Sequence, residues 1–172
     1  MIHTLRDIRT ERLLLRRIRE DDLATVIEIQ TDPATHEHGG PPPNEEETRT
    51  IFAEWLWQWT EHGFGYWMVE EPAAGTVVGL GGVRYKEIEG ETVLNLAYRF
   101  RPSAWGNGYA VEMAAPTVEW SEREMPEAPV VVVTNPNNTP ARRVAEKLGF
   151  RLHKEGPYLE GGKDVPAVFY RK

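Results

Sequence analysis

Gly106, Asn107 and Gly108 pose the first chemical question of this sequence. Asn-Gly is the dipeptide of tight β-hairpin turns. A glycine pair also suits a loop that lets a phosphate approach the backbone. The flanks decide between these. Upstream, "LNLAYRF" reads as a strand; downstream, Ala110, Glu112, Met113, Ala114 and Ala115 are helix formers, and Ala110, Met113 and Ala114 share a face. The unit is therefore strand, glycine loop, helix. The first amides of a helix have no internal partner and carry the positive end of its dipole, so such a start can hold an anion. From the loop alone, a phosphate site and an ordinary glycine-bearing connection both remain open. The Walker loop is absent, and the dinucleotide fingerprint fails where Val111 replaces its third glycine.

Other elements must position this loop. "RLLLRRI" reads as a first strand. "DDLATVIEIQTDP" reads as a short helix, with Asp21 or Asp22 as cap, Leu23, Val26, Ile27 and Gln30 on one face, and Pro33 as stop. Asn44 and Glu47 form a capping-box pattern before a longer helix that ends at Gly63. Phe52, Trp55, Leu56 and Trp59 share its apolar face; Trp57 falls off it, on the surface or at a pocket wall. "FGYWMVE", "TVVGLGGVRY" and "TVLNLAYRF" follow as an antiparallel meander. After the loop and its helix comes "VVVV", a buried-strand run, then the helix "TPARRVAEKLGF" and a closing strand pair, "RLHKEG" and "DVPAVFYR". Pro116 lies inside the helix after the loop and should kink it. The order β-α-α-β-β-β-α-β-α-β-β makes one α+β domain over residues 1–172.

The 172 residues suffice for one domain with a real core, and no apolar run approaches the roughly 20 residues of a membrane span. The net charge of −7 argues against a general nucleic-acid binder and suits a cationic partner such as an amine. With no cysteine, disulfides, thiolate metal sites and cysteine nucleophiles are excluded. The N-terminus lacks a signal-peptide apolar region, and the expected location is the cytoplasm.

Three stretches resemble the GNAT N-acetyltransferases, and within them the RimJ/RimL-like branch: "TERLLLRRIREDDLATVIEIQTDP", "LAYRFRPSAWGNGYAVE" and "NTPARRVAEKLGF". Their order and spacing carry the resemblance nearly end to end. It implies a mixed, mostly antiparallel seven-strand sheet flanked by about four helices. It implies acetyl-CoA as co-substrate, no metal, and direct transfer of acetyl to a primary amine on a protein N-terminus or a small molecule. The amides of Gly106, Asn107, Gly108, Tyr109, Ala110 and Val111 would hold the pyrophosphate. Trp105 stands where many members have Gln or Arg. Tyr98, Arg99 and Phe100 would offer backbone to the pantetheine arm, and Val130 to Val133 would splay away from them. Asn138 matches the family's cofactor-contacting Asn and also suits a helix cap. Arg99, Arg101, Arg142, Arg143 and Lys147 are the candidate cations near the cleft, and a homodimer is the assembly that relatives suggest.

The catalytic positions depart from the family. Asn95 stands where many relatives have Glu, Ala145 where many have Tyr, and Ala141 where they have Ser. Asn95 can position an amine or a water but cannot take a proton as a carboxylate does. His36, His38 and Glu112 are the substitutes for a base. The alternative is a catalytically weakened CoA-binding GNAT domain with a regulatory or binding role.

Overall fold

Two strands, two helices, three strands, a helix, a strand, a helix and two strands follow one another along the chain. The structure, a computed structural model, describes residues 3–160 and 162–172. The strands are β1 Ile8–Arg9, β2 Leu14–Arg17, β3 Tyr66–Glu71, β4 Thr76–Ile88, β5 Glu91–Phe100, β6 Val130–Thr134, β7 Arg151–Glu160 and β8 Lys163–Arg171. The helices are α1 Leu23–Gln30, α2 Glu45–His62, α3 Tyr109–Glu124 and α4 Thr139–Lys147. They build one eight-stranded sheet in the order β1-β2-β3-β4-β5-β6-β8-β7. Its neighbours are antiparallel except β5 and β6, which α3 connects in parallel. The strand beyond the expected seven is β1, whose two residues pair with Leu14 and Leu15. Two residues are too few to show an alternation.

Successive residues of a strand point to opposite faces, so β3 shows how the layers stack. The Tyr66 ring meets Trp55 of α2 edge-on, 5.1 Å between ring centres, while the next residue, Trp67, donates its indole N–H to Thr117 Oγ1 of α3 at 3.1 Å. Hence α1 and α2 cover one face, and α3 with α4 covers the other. Trp59, Trp67, Met68, Leu94, Leu96 and Met113 are fully buried between the layers. Among the described residues no helix is long and apolar enough to cross a membrane.

Local signals mostly became the expected local structure. Asn44 and Glu47 exchange the reciprocal bonds of a capping box, and Gly63 ends α2 at φ 76°. Trp57 is 58% exposed, on the surface rather than in a wall. α1 differs in its face: Val26, Ile29 and Gln30 are buried, while Leu23 and Ile27 are only half-buried. Docking against the sheet selects the i, i+3, i+4 set that starts at Val26. Asp22 does not cap α1 with its side chain; its carboxylate accepts two bonds from Arg16, at 2.7 and 2.9 Å, and one from the Arg19 amide at 2.8 Å. α3 runs unbroken through Pro116.

Candidate active site

The site begins where β5 leaves β6. Their register pairs Leu94 with Val130 and Asn95 with Val131, and goes no further. From Leu96 to Phe100, β5 has no partner on that side, so the two strands open into a fork. β4 makes room for this segment: a Cβ on Gly81, at φ 151°, would come 2.5 Å from the Tyr98 Cβ. Burial pushes the Tyr98 phenol well above its ordinary pKa, so it stays neutral.

Beyond Phe100 the chain makes a 3-10 turn, Pro102–Ala104, and then the glycine loop. The Trp105 indole donates to the Phe100 carbonyl at 2.9 Å. That carbonyl is therefore taken, which shortens the backbone edge expected for an extended arm. Gly106 at φ 81° and Gly108 at φ 77° both need the left-handed region. Asn107 turns inward, donating its amide to the Ala104 carbonyl at 2.9 Å. The first helical bond of α3 runs from the Glu112 amide to the Gly108 carbonyl, at 3.1 Å. The amides of Tyr109, Ala110 and Val111 thus have no partner of this kind. The Asn-Gly dipeptide is a helix entrance and not a hairpin turn.

The far side of this entrance is clamped by residues of the first motif. Glu112 accepts from Thr10 Oγ1 at 2.6 Å and from the Arg12 amide at 2.8 Å, and both Nε and Nη2 of Arg12 reach its other oxygen at 2.7 Å. Burial acts to raise the Glu112 pKa, but these bonds outweigh it and hold the carboxyl below its ordinary value. Glu112 is thereby a committed ion-pair partner, which removes it from the substitute bases. The Arg12 guanidinium also sits 4.7 Å above the Tyr109 ring.

α4 supplies the opposite wall. Asn138 caps it by accepting from the Ala141 amide at 3.2 Å. Ala141, Val144 and Lys147 face the opening, whereas Ala145 is buried in the core. Together the end of β5, the loop, α3 and α4 enclose a cleft of about 460 Å³, a size ordinary for a ligand site. Tyr98, Arg99, Phe100, Trp105, Gly106 and Gly108 line it on one side. Tyr109, Ala110, Val111 and Asn138 continue the lining. Two of the sequence candidates stand apart: Asn107, turned to Ala104, and Asn95, which sits deeper on β5 and is 8% exposed. Among the described residues no three His, Asp or Glu side chains gather into a metal-binding cluster.

The candidate cations fare unevenly. Arg99 donates to Gln30 Oε1 at 2.9 Å and to the Thr35 carbonyl. Arg101 is tied to Glu28 and to the Val77 carbonyl, and Arg142 to the Tyr170 hydroxyl and the Pro136 carbonyl. Arg143 and Lys147 are exposed, and Lys147 lines the cleft. His38, also in the lining, comes from the α1–α2 connection with Thr35 and Glu37. Thr35 and Glu37 carry no local signal of this role, because only the packing of that connection brings them here. His36 holds its Nε2 2.7 Å from the Gln30 carbonyl, which requires the proton on that nitrogen. Burial, then the Arg99 charge, lowers its pKa, so its ring is neutral at pH 7.

Comparison with known proteins agrees with this geometry. A family model described as "Acetyltransferase (GNAT) domain" matches residues 12–151. The chain is 31% identical over 168 residues to the uncharacterized protein YkkB of Bacillus subtilis, covering 95% of this chain and 94% of that one. The acetyltransferase (GNAT family) from Bacillus anthracis superposes with a TM-score of 0.75 at 25% identity, over 96% and 97% of the two chains. RimL, a ribosomal L7/L12 α-N-protein acetyltransferase in complex with coenzyme A, superposes with a TM-score of 0.72 at 15% identity, over 96% and 97%. At that identity the second likeness speaks to fold alone.

Proposed function

The chain belongs to the GNAT acetyltransferase family, and we propose that it is an acetyl-CoA-dependent N-acetyltransferase, one domain over residues 1–172. The observation that carries this reading is the fork between β5 and β6, which opens into the cleft at the start of α3. The amides of Tyr109 to Val111, eased by Gly106 and Gly108, hold the pyrophosphate, and Lys147 adds charge in a chain of net −7. The pantetheine arm runs along the free edge of β5 toward Leu96. The coenzyme A bound to RimL is the same ligand class.

The reaction needs no covalent enzyme intermediate. The acceptor amine gives up a proton to water and attacks the thioester carbon. A C–N bond forms, and a β5 backbone N–H holds the oxyanion. The C–S bond then breaks, and the thiolate takes a proton to leave as coenzyme A. Asn95 orients the amine through its Oδ1, which is buried and has no hydrogen-bond partner among the described residues.

A second reading rests on Asn95, Ala141 and Ala145, where the family resemblance implies Glu, Ser and Tyr in many members: a CoA-binding domain without turnover. Calorimetric binding of acetyl-CoA, followed by thiol release in the presence of amines, separates the two. Micromolar binding with release supports the enzyme, and binding without release supports the weakened domain. No binding by folded protein at millimolar acetyl-CoA overturns both.

A further inference from the structure

The sheet face beneath α2 carries polar groups that the cleft does not use. Arg84 of β4 stands directly opposite Asn95 of β5. Its guanidinium lies 5.5 Å above the Tyr66 ring. Two residues on, and on the same face, Lys86 places its ammonium 4.7 Å from the Tyr158 ring centre. Tyr158 belongs to β7, so the β7–β8 hairpin roofs this corner. Three side-chain atoms here are shut off from solvent without a hydrogen-bond partner among the described residues: Arg84 Nε, Tyr158 Oη and Asn95 Oδ1. Arg84 Nε is a donor, the Tyr158 hydroxyl can donate or accept, and Asn95 Oδ1 is an acceptor.

The charges are equally incomplete. The carboxylate paired with Arg84 is Glu54, 4.0 Å away and mostly exposed. Lys86 forms no ion pair among the described residues, and Arg99 spends its hydrogen bonds on the neutral acceptors Gln30 and Thr35. Glu160, the nearby acid at the end of β7, is exposed. A chain of net −7 thus concentrates cations where its buried donors lack partners.

We propose that the acceptor is a small α-amino acid, its carboxylate held by Arg84, Lys86 and Tyr158 and its amine by Asn95. This rests on the acetyltransferase reading. The Asn95 acceptor lies across a strand pair from Arg84, and opposed side chains there start about 5 Å apart, the scale of an amine and a carboxylate within one small molecule. The Tyr158 roof favours a free amino acid over a peptide N-terminus, whose chain must continue outward from the carbonyl. Burial lowers the Lys86 pKa, and an arriving carboxylate reverses that shift.

The test is thiol release from acetyl-CoA by the full chain with each common L-amino acid and with its carboxamide, beside calorimetric binding of acetyl-CoA. The expected result is at least one amino acid with kcat/KM tenfold or more above its amide. Arg84→Gln and Lys86→Met should each raise the KM for that amino acid at least tenfold and leave the acetyl-CoA Kd within twofold. An amide or a tripeptide N-terminus used equally well or better overturns the proposal, as does acetyl-CoA binding with no amino acid accepted. The acetyltransferase reading survives the first of these. Failure to bind acetyl-CoA overturns both at once.

Discussion

Arg12 and Glu112 meet side-on, with both Nε and Nη2 of the guanidinium 2.7 Å from one carboxylate oxygen. The bond to Glu112 comes first among the reasons the Arg12 guanidinium titrates above its ordinary value. The pair joins the start of the sheet to the first turn of α3. An acid there suits the helix dipole but would repel a phosphate at the same amides. Arg12 neutralises it, so the entrance keeps both its geometry and its welcome for anions.

Removing that cation would leave Glu112 alone to face the pyrophosphate proposed there. Arg12→Ala is expected to raise the acetyl-CoA Kd at least tenfold by calorimetry. The double variant Arg12→Ala/Glu112→Gln should recover much of the loss, because the repulsion goes with the carboxylate. A double variant as weak as the single one would mean that Arg12 acts by shape and not by charge.

Gly108→Ala tests the entrance itself. A Cβ there meets nothing nearer than Arg12 Nη2 at 3.8 Å, so the fold accommodates it. The left-handed backbone at φ 77° still costs about 1 kcal/mol. Urea unfolding should show that modest loss, while the acetyl-CoA Kd rises tenfold or more as the methyl group crowds the phosphate.

Asn95 lies outside the cleft proposed for acetyl-CoA, and its effect should separate from binding. Steady-state kinetics of Asn95→Ala are expected to show kcat reduced at least tenfold, with acetyl-CoA affinity unchanged within twofold. Equal kcat for wild type and variant would remove Asn95 from the reaction.

The Arg16–Asp22 pair sets an acid limit on stability. Burial works to raise the Asp22 pKa, yet Arg16 and the Arg19 amide outweigh it, and the folded value falls below the ordinary one. A depressed carboxyl stabilises the fold above its unfolded pKa of about 3.9, and that stability is lost as the pH falls through the folded value. Urea midpoints between about pH 6 and pH 3 should fall more steeply for wild type than for Asp22→Asn. At neutral pH, Asp22→Ala should cost about 3 kcal/mol, because the buried Arg16 guanidinium loses its two-bond carboxylate and keeps only Glu70, 3.1 Å away.

Pro116 gives α3 no hydrogen bond to the Glu112 carbonyl. Pro116→Ala is expected to stabilise the protein by about 1–3 kcal/mol in denaturant unfolding. A lower midpoint would show that the packing of the proline ring outweighs the missing bond.

Much of the cleft's architecture was legible because its signals are local. The "YAVEMAA" run lacks a strand's alternation, so the glycine loop could only open a helix. Asn44, Glu47 and Gly63 act within one turn of their own helix. Ten of the eleven residues expected at the cofactor line one cleft, because most of them are consecutive in the chain.

What the sequence determined, then, is what short-range rules govern: element types, their order, their caps and the helix entrance. Tertiary structure alone decided which long side chains were already engaged. Arg99 and Arg101 looked free, yet their partners lie 69 and 73 residues away. Glu112 looked like a base until Thr10 and Arg12 closed on it from about 100 residues upstream. The juxtaposition of Arg84, Asn95 and Tyr158 likewise has no local signature. Backbone periodicity acts over three or four residues, whereas a charged side chain takes whichever partner the packed layers bring within a few ångströms.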